Sequence, residues 1–415
     1  MKRIILFTFL LCANYMVFAG GYRVALQGNK QLAMGHTGVA VLNSAETVFF
    51  NPAGMAFLNN RFSASVGANF IFSNISFQNT EFGWSSEADN PVSTPFNAYV
   101  AYQVNDWLSV GLGAYTPYGS SVEYPENWEG SHLIQKIELA SIFIQPTVAI
   151  KLHDKMSIGG GPIFVTGNVN FNRNLDRSLS DLEGNRSNVT IDKSGINAWG
   201  YSLGMLFRPT EKWNIGVNYR SEIEMDAENG SADFQNVPSG LQGQFADGTF
   251  NASLPLPAEL TVGTSYQIND KWLVAFDFNR VYWDSYDSLN LSFSNGLQST
   301  NPRNYKNSST YRFGVQYVAN DQFTLRGGYY FDESPVQEGY FAPETPRNDS
   351  DNFTGGLTFN VNSRFAIDAS FLYIHFEEVD ASYDYHPESN GQTSSFGGTY
   401  KNNAFIPGLS VSYKF

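Results

Sequence analysis

The side chains able to do acid–base or nucleophilic chemistry are few and scattered. The 415-residue chain has one cysteine, Cys12, and five histidines: His36, His132, His153, His375 and His386. None stands in a recognisable nucleophile motif, and no phosphate-cradling loop or metal-ligand cluster occurs. His375 falls on the outward parity of a strand; the others fall in loops, a turn or the N-terminal segment. Without a thiol beyond Cys12, disulfides and thiolate metal sites are out of reach. The reading is not an enzyme, with no cofactor and no metal. The chemistry to look for is binding and passage.

One stretch interrupts the pattern of the rest. TVFFNPAGMAF, residues 47–57, has strand-like apolar flanks around Asn51-Pro52-Ala53-Gly54. Proline cannot donate to a sheet ladder and glycine loosens the backbone, so a compact non-strand knot is expected there.

The chain begins MKRIILFTFLLCANYMVFA. A basic start, an apolar run and a small residue at Ala19 predict a signal peptide over 1–19. The run is short for a membrane anchor. A lipoprotein reading would use Cys12, but bulky Leu11 precedes it. Loss of Lys2 and Arg3 leaves 23 basic against 39 acidic residues, a net charge of −16. Nucleic acid is not an expected partner. The acidic excess suits divalent cations bridging surface lipids, or plain solubility.

Aromatic residues make up 15% of the chain and charged ones only 15%, below the usual quarter. No other segment approaches the length of an apolar helical span. Period-two alternation recurs instead. In 271–280, Trp272, Val274, Phe276 and Phe278 share one face; Leu273, Ala275, Asp277 and Asn279 share the other. Fourteen such segments are expected, at 61–72, 94–104, 107–116, 138–151, 156–171, 195–208, 212–225, 258–268, 271–283, 309–319, 322–332, 352–361, 364–376 and 404–415. Short connections, often Asn-Asp and soon followed by an aromatic residue, alternate with long polar ones such as 172–194, 226–249 and 377–403. Short periplasmic turns, long external loops and aromatic girdles describe an outer-membrane barrel. A secreted β-sandwich gives no reason for that alternation. The expected fold is all-β: a 14-stranded antiparallel transmembrane β-barrel over 61–415 in the outer membrane of a Gram-negative bacterium. Such a barrel is wider than side chains alone fill. Residues 20–60 are small, apolar and Gly-rich, and are expected to form a plug inside it.

Several motifs in this order resemble the FadL/TodX (OmpP1) family of outer-membrane transporters. They are Gly21-Tyr22, the run from Gly35 to Ala40, Asn51-Pro52-Ala53, the run from Tyr115 to Gly119 and that from Asn127 to Gly130. Further on come the run from Leu256 to Gly263, that from Val281 to Trp283, that from Phe331 to Val336, and the terminal Phe415. The resemblance implies a passive channel for hydrophobic small molecules, long-chain fatty acids or aromatic hydrocarbons. Cargo would be caught in an external groove, pass to an internal pocket gated by the N-terminal hatch, and leave sideways at a kink in the third strand. The hatch motif maps to Asn51, Pro52 and Ala53, and the kink to Thr116, Pro117, Tyr118 and Gly119. Pro117 could instead merely end its strand. Ligand contacts map to Tyr22, Arg173, Arg303 and Asp332. Arg173 shares the parity of Val165, Val169 and Phe171, so a bulge or the strand's end would have to redirect it inward. Phe415 resembles a signal to the barrel-assembly machinery. The other expected partners are outer-membrane lipids, and the protein is expected to be a monomer. The alternative is a general porin or structural barrel for small polar solutes. Loop apolar residues, among them Trp84, Trp128, Leu133, Ile134, Phe234, Leu241, Phe245 and Phe341, are expected to cluster in one groove.

Overall fold

The computed structural model describes residues 21–387 and 392–415, so the signal peptide expected over 1–19 lies outside the described residues. Fourteen antiparallel strands form the wall. β1 is Phe62–Asn69, continuing as Phe72–Asn79; β2 is Phe96–Gln103; β3 is Leu108–Tyr115, continuing as Gly119–Glu123. β4 is Lys136–His153, β5 Met156–Asn174 and β6 Asn188–Thr210. β7 is Trp213–Arg220 with Ile223–Gln235, and β8 is Gly248–Leu256 with Glu259–Gln267. β9 is Trp272–Val281 with Ser288–Phe293, and β10 is Gln298–Pro302 with Ser308–Val318. β11 is Phe323–Asp332, β12 Ser350–Asn360, β13 Phe365–Phe376 with Val379–Pro387, and β14 Thr393–Lys414. β14 pairs back onto β1, from Ser63↔Lys414 to Asn69↔Gly408, and closes the barrel. Phe62 and Phe415 exchange backbone hydrogen bonds of 3.0 and 3.1 Å at the seam.

The period-two pattern sorts as expected. Val66, Trp199, Leu203, Phe313, Phe353 and Leu409 are half or more exposed and point outward. A band of such side chains is at rest only in lipid. Ala275, Asp277 and Asn279, on the other parity of β9, are buried inside.

The short turns share one device. Asn105, Asn269, Asn320 and Asn362 each accept two backbone N–H bonds through Oδ1, including those of Trp107, Trp272, Phe323 and Phe365. The side chain closes the turn and so fixes the register of the strand that follows.

Several strands outrun their expected limits. β6 is 23 residues long. Polar stretches expected as loops pair into extensions, for example Ser231↔Asp192 and Phe234↔Val189. Beyond the membrane a ladder needs only backbone groups, so apolar alternation gives no warning of it.

Residues 21–58 are almost all buried. They carry two short helices, α1 (Asn29–Leu32) and α2 (Thr47–Phe50), and a 3-10 turn over Pro52–Phe57. The strand-like flanks of the Asn-Pro-Ala stretch are therefore helical. Enclosed by strands whose partners are taken, they satisfy their backbone locally. Asn51 caps the 3-10 turn by accepting Ala53 N–H at 3.1 Å, and Pro52 fills its first position. Hydrogen bonds from the segment reach strands around the circumference. Leu26 O meets Asn69 of β1 at 3.0 Å, Val48 O meets Gln145 of β4 at 3.0 Å, and Gly38 N meets Asp277 of β9 at 2.7 Å. Asn51 Nδ2 donates to Met205 O of β6 at 3.0 Å. The wall is flattened to receive the motif: a Cβ on Gly159 would lie 2.6 Å from Ala53 N, and one on Gly204 2.2 Å from Asn51 Oδ1.

Candidate functional site

β3 is interrupted, and beyond the interruption it has no strand partner on the side of the preceding strand. Its pairing with β2 ends at Asn97↔Tyr115. With β4 it runs to Tyr115↔Phe143 and resumes at Gly119↔Ala140. Four steps on β3 thus oppose three on β4, a one-residue excess that bends the strand. Thr116, Pro117 and Tyr118 occupy the interruption. Pro117 has no N–H to offer a neighbour and restricts the residue before it. On the far edge, Gly119–Glu123 is met by loop rather than strand: Asp89 N donates to Glu123 O at 2.8 Å. From inside, the N-terminal segment pairs into the break. Val24 N donates to Pro117 O at 2.8 Å and Gly119 N to Tyr22 O at 3.0 Å.

Two cavities meet here. One, about 130 Å³, has an apolar wall that includes Leu133, Ile137, Ile191, Met225, Phe250 and Leu254. Tyr22, Arg173, Arg303, Glu344, Tyr286 and Tyr383 supply its polar edge. The other, about 480 Å³, opens at the break and is bordered by Pro91, Val92, Pro95, Thr116, Gly119 and Val122. Tyr118, Ser120, Leu139, Ala140, Ser141 and Asn168 line both. Tyr118 stands in the partition. Its hydroxyl donates to Glu259 at 2.9 Å and its ring is 6.1 Å from that of Tyr22.

The two cavity arginines differ. Arg303 pairs with the carboxylate of Glu344 and lies over the Tyr383 ring at 5.2 Å. Burial pushes its pKa down, but Glu344 and nearby tyrosines more than offset this and hold it above the ordinary value. Arg173 hydrogen-bonds, among the described residues, only Ser299 Oγ at 3.3 Å and His132 O at 3.5 Å. Among the described residues no carboxylate lies within 4.0 Å of it. It needs no redirection. Val169 and Phe171 line the same cavity, so the apolar parity of this part of β5 is the inner one. Alternation tells two faces apart; it does not say which one meets lipid when the lumen is itself apolar.

Tyr22, Arg173 and Arg303 are thus brought together, and Asp332 is not. Asp332 binds Arg23 at 2.9 Å, in a buried network with Glu259, Asn279 and Thr310. Arg23, Glu259 and Glu344 escaped the sequence reading. Glu259 sits within the Leu256–Gly263 motif at the start of a strand, where a membrane-embedded carboxylate is a signal in itself. The loop residue Glu344 gave no such signal. The loop apolar residues also depart from expectation in part. Trp84, Trp128 and Phe341 join rings with Phe396 and Tyr400, while Phe234 pairs with both Phe245 and Phe293. By ring contact they form two groups, yet Trp128, Leu133, Ile134 and Phe341 share one apolar cluster with Trp84 and Phe234 packed against it, and Leu241 and Phe245 lie outside it.

Comparison with known proteins adds a family match. A family model described as "Outer membrane protein transport protein (OMPP1/FadL/TodX)" matches residues 10–415. A putative outer membrane protein of Neisseria meningitidis is 27% identical, over 100% of this chain and 99% of its own length. The long-chain fatty acid transport protein of Escherichia coli is 23% identical, over 87% of this chain and 89% of its own. Among solved structures, a Pseudomonas aeruginosa FadL homologue superposes with TM-score 0.83 at 19% identity, covering 95% of this chain and 100% of that one. The P. putida toluene transporter TodX superposes with TM-score 0.72 at 18% identity, covering 96% and 99%.

Proposed function

Because the chain belongs to the OMPP1/FadL/TodX family of outer membrane transport proteins, we propose that it moves hydrophobic molecules bearing an anionic head through its apolar cavity and out sideways at the β3 break. It resides in the outer membrane of a Gram-negative bacterium and transports hydrophobic compounds. The finer reading rests on one observation: the apolar cavity and the opening at the break share Tyr118, Ser120 and Leu139 as walls. Burying a CH₂ gains about 0.8 kcal/mol, so a sixteen-carbon chain gains on the order of 12 kcal/mol on leaving water. Such a solute favours a continuous dry path into the bilayer over a wet pore. Downhill flow needs no energy source. In this reading residues 21–58 are the plug, with Asn51, Pro52 and Ala53 seating it, and Thr116–Gly119 form the side exit.

The relatives bracket the cargo between a fatty acid and an aromatic hydrocarbon. Arg173, half-buried and without a carboxylate within 4.0 Å among the described residues, favours the former. Tyr22 and Arg303 would flank the head group, and Asp332 would act through Arg23 on the plug.

The test is Ser120→Trp, which places an indole at the junction. Uptake of radiolabelled oleate by cells expressing this variant as their sole such transporter should fall to background at unchanged surface level. Uptake equal to wild type would sink the side exit. A porin would instead pass steady current in planar bilayers, where the plugged wild type should be nearly silent.

A further inference from the structure

A separate cavity of about 30 Å³ lies between the N-terminal segment and the inner wall, bordered by Arg23, Arg220, Arg312, Glu259, His36 and Gln27. We propose that it binds one small monovalent anion, a halide or a carboxylate group, held against Arg312.

Arg312 is 4% exposed, and a guanidinium does not give up its proton in a protein. Its contacts are weak. Nη1 lies 3.4 Å from His36 O, Nη2 lies 3.3 Å from Asn279 Oδ1, and Nε has no hydrogen-bond partner among the described residues. Among the described residues no carboxylate comes within 4.0 Å. Asp277, its register partner across β9 and β10, turns instead to the amides of Gly38 and Val39, at 2.7 and 3.1 Å. Asp277, Glu259 and Asp332 act on Arg312 from a distance without touching it, and a buried charge with no ion in contact is costly. Glu259 would oppose an anion, but its carboxylate is engaged by Arg23 at 3.4 Å, Arg220 at 4.0 Å and Tyr118 at 2.9 Å. Further donors face the cavity: among the described residues Arg220 Nε has no hydrogen-bond partner, and of the two ring nitrogens of His36 one is an N–H donor. The volume exceeds the roughly 10–15 Å³ that one water needs, which suits an ion of about that size.

The anion has two sources. It is a free halide, or it is the head of a cargo molecule, since Arg23, Val24 and Ala25 line this cavity and the side opening alike. The site does not depend on the transport reading. Crystals of the full barrel grown in sodium bromide without added lipid should show an anomalous peak beside Arg312. Decanoate then separates the sources: loss of the peak assigns the site to carboxylates as well, and persistence assigns it to the inorganic ion. Arg312→Gln should lose the peak, together with any rise in melting temperature in bromide over gluconate at equal ionic strength. The rim control Arg61→Gln should keep both. A wild-type crystal with no anomalous peak in the cavity, and no bromide-dependent shift in melting, overturns the proposal and leaves water as the occupant.

Discussion

Tyr22 and Arg23 are consecutive in the chain yet face opposite chemistries. Tyr22 closes one end of the apolar cavity, its ring 4.9 Å from Trp283 and 5.6 Å from Tyr286. Arg23 turns into the charged network of Glu259, Asp332 and Asn279. Between them the backbone pairs with the broken strand at Pro117 and Gly119. Extended residues alternate sides, so one short stretch can present grease to one chamber and charge to the other. The dry chamber suits cargo; the charged one anchors the segment that borders it.

That division can be broken from either side. The largest effect is expected from the charged side. Asp332→Ala removes the nearer carboxylate from Arg23 and should cost about 3–5 kcal/mol of stability, toward the lower end because Glu259 remains. A urea-unfolding midpoint in lipid vesicles equal to wild type would show that the network is not an anchor. From the dry side, Arg173→Leu leaves the fold intact and should reduce oleate uptake about tenfold, the equivalent of losing a charge-assisted hydrogen bond of about 1.5 kcal/mol. Toluene uptake, measured in parallel, should not change. An equal fall in both would remove Arg173 from head-group recognition. The smallest effect belongs to Tyr22→Phe. It deletes the hydrogen bond to Pro255 O and keeps the ring, so the midpoint should drop by only about 0.5–1.5 kcal/mol. A larger loss would mean that Tyr22 fastens the wall as well as lining the cavity.

Much of the wall was legible in the residues. Alternation at 271–280 sorted Asp277 and Asn279 inward, and the Asn-led turns set off the strands. Pro117 and Gly119 marked the place where β3 gives up its pairing with β2. The site was legible only in fragments. Arg173 lay on a parity that looked lipid-facing, because an apolar lumen and an apolar membrane write the same pattern. Asp332 looked like a companion of Arg303, yet it belongs with Arg23. The partner of Arg303 is Glu344, 41 residues further on in a loop.

Sequence alone determined the properties that repeat at short range: strands of alternating face, turns closed by a neighbouring amide, a proline that withholds a donor. Those depend on residues a few positions apart. Tertiary structure decided which charges meet, because strands far apart in the chain become neighbours only when the cylinder closes. The N-terminal segment, with no alternation of its own, then takes its shape and its partners from the wall around it.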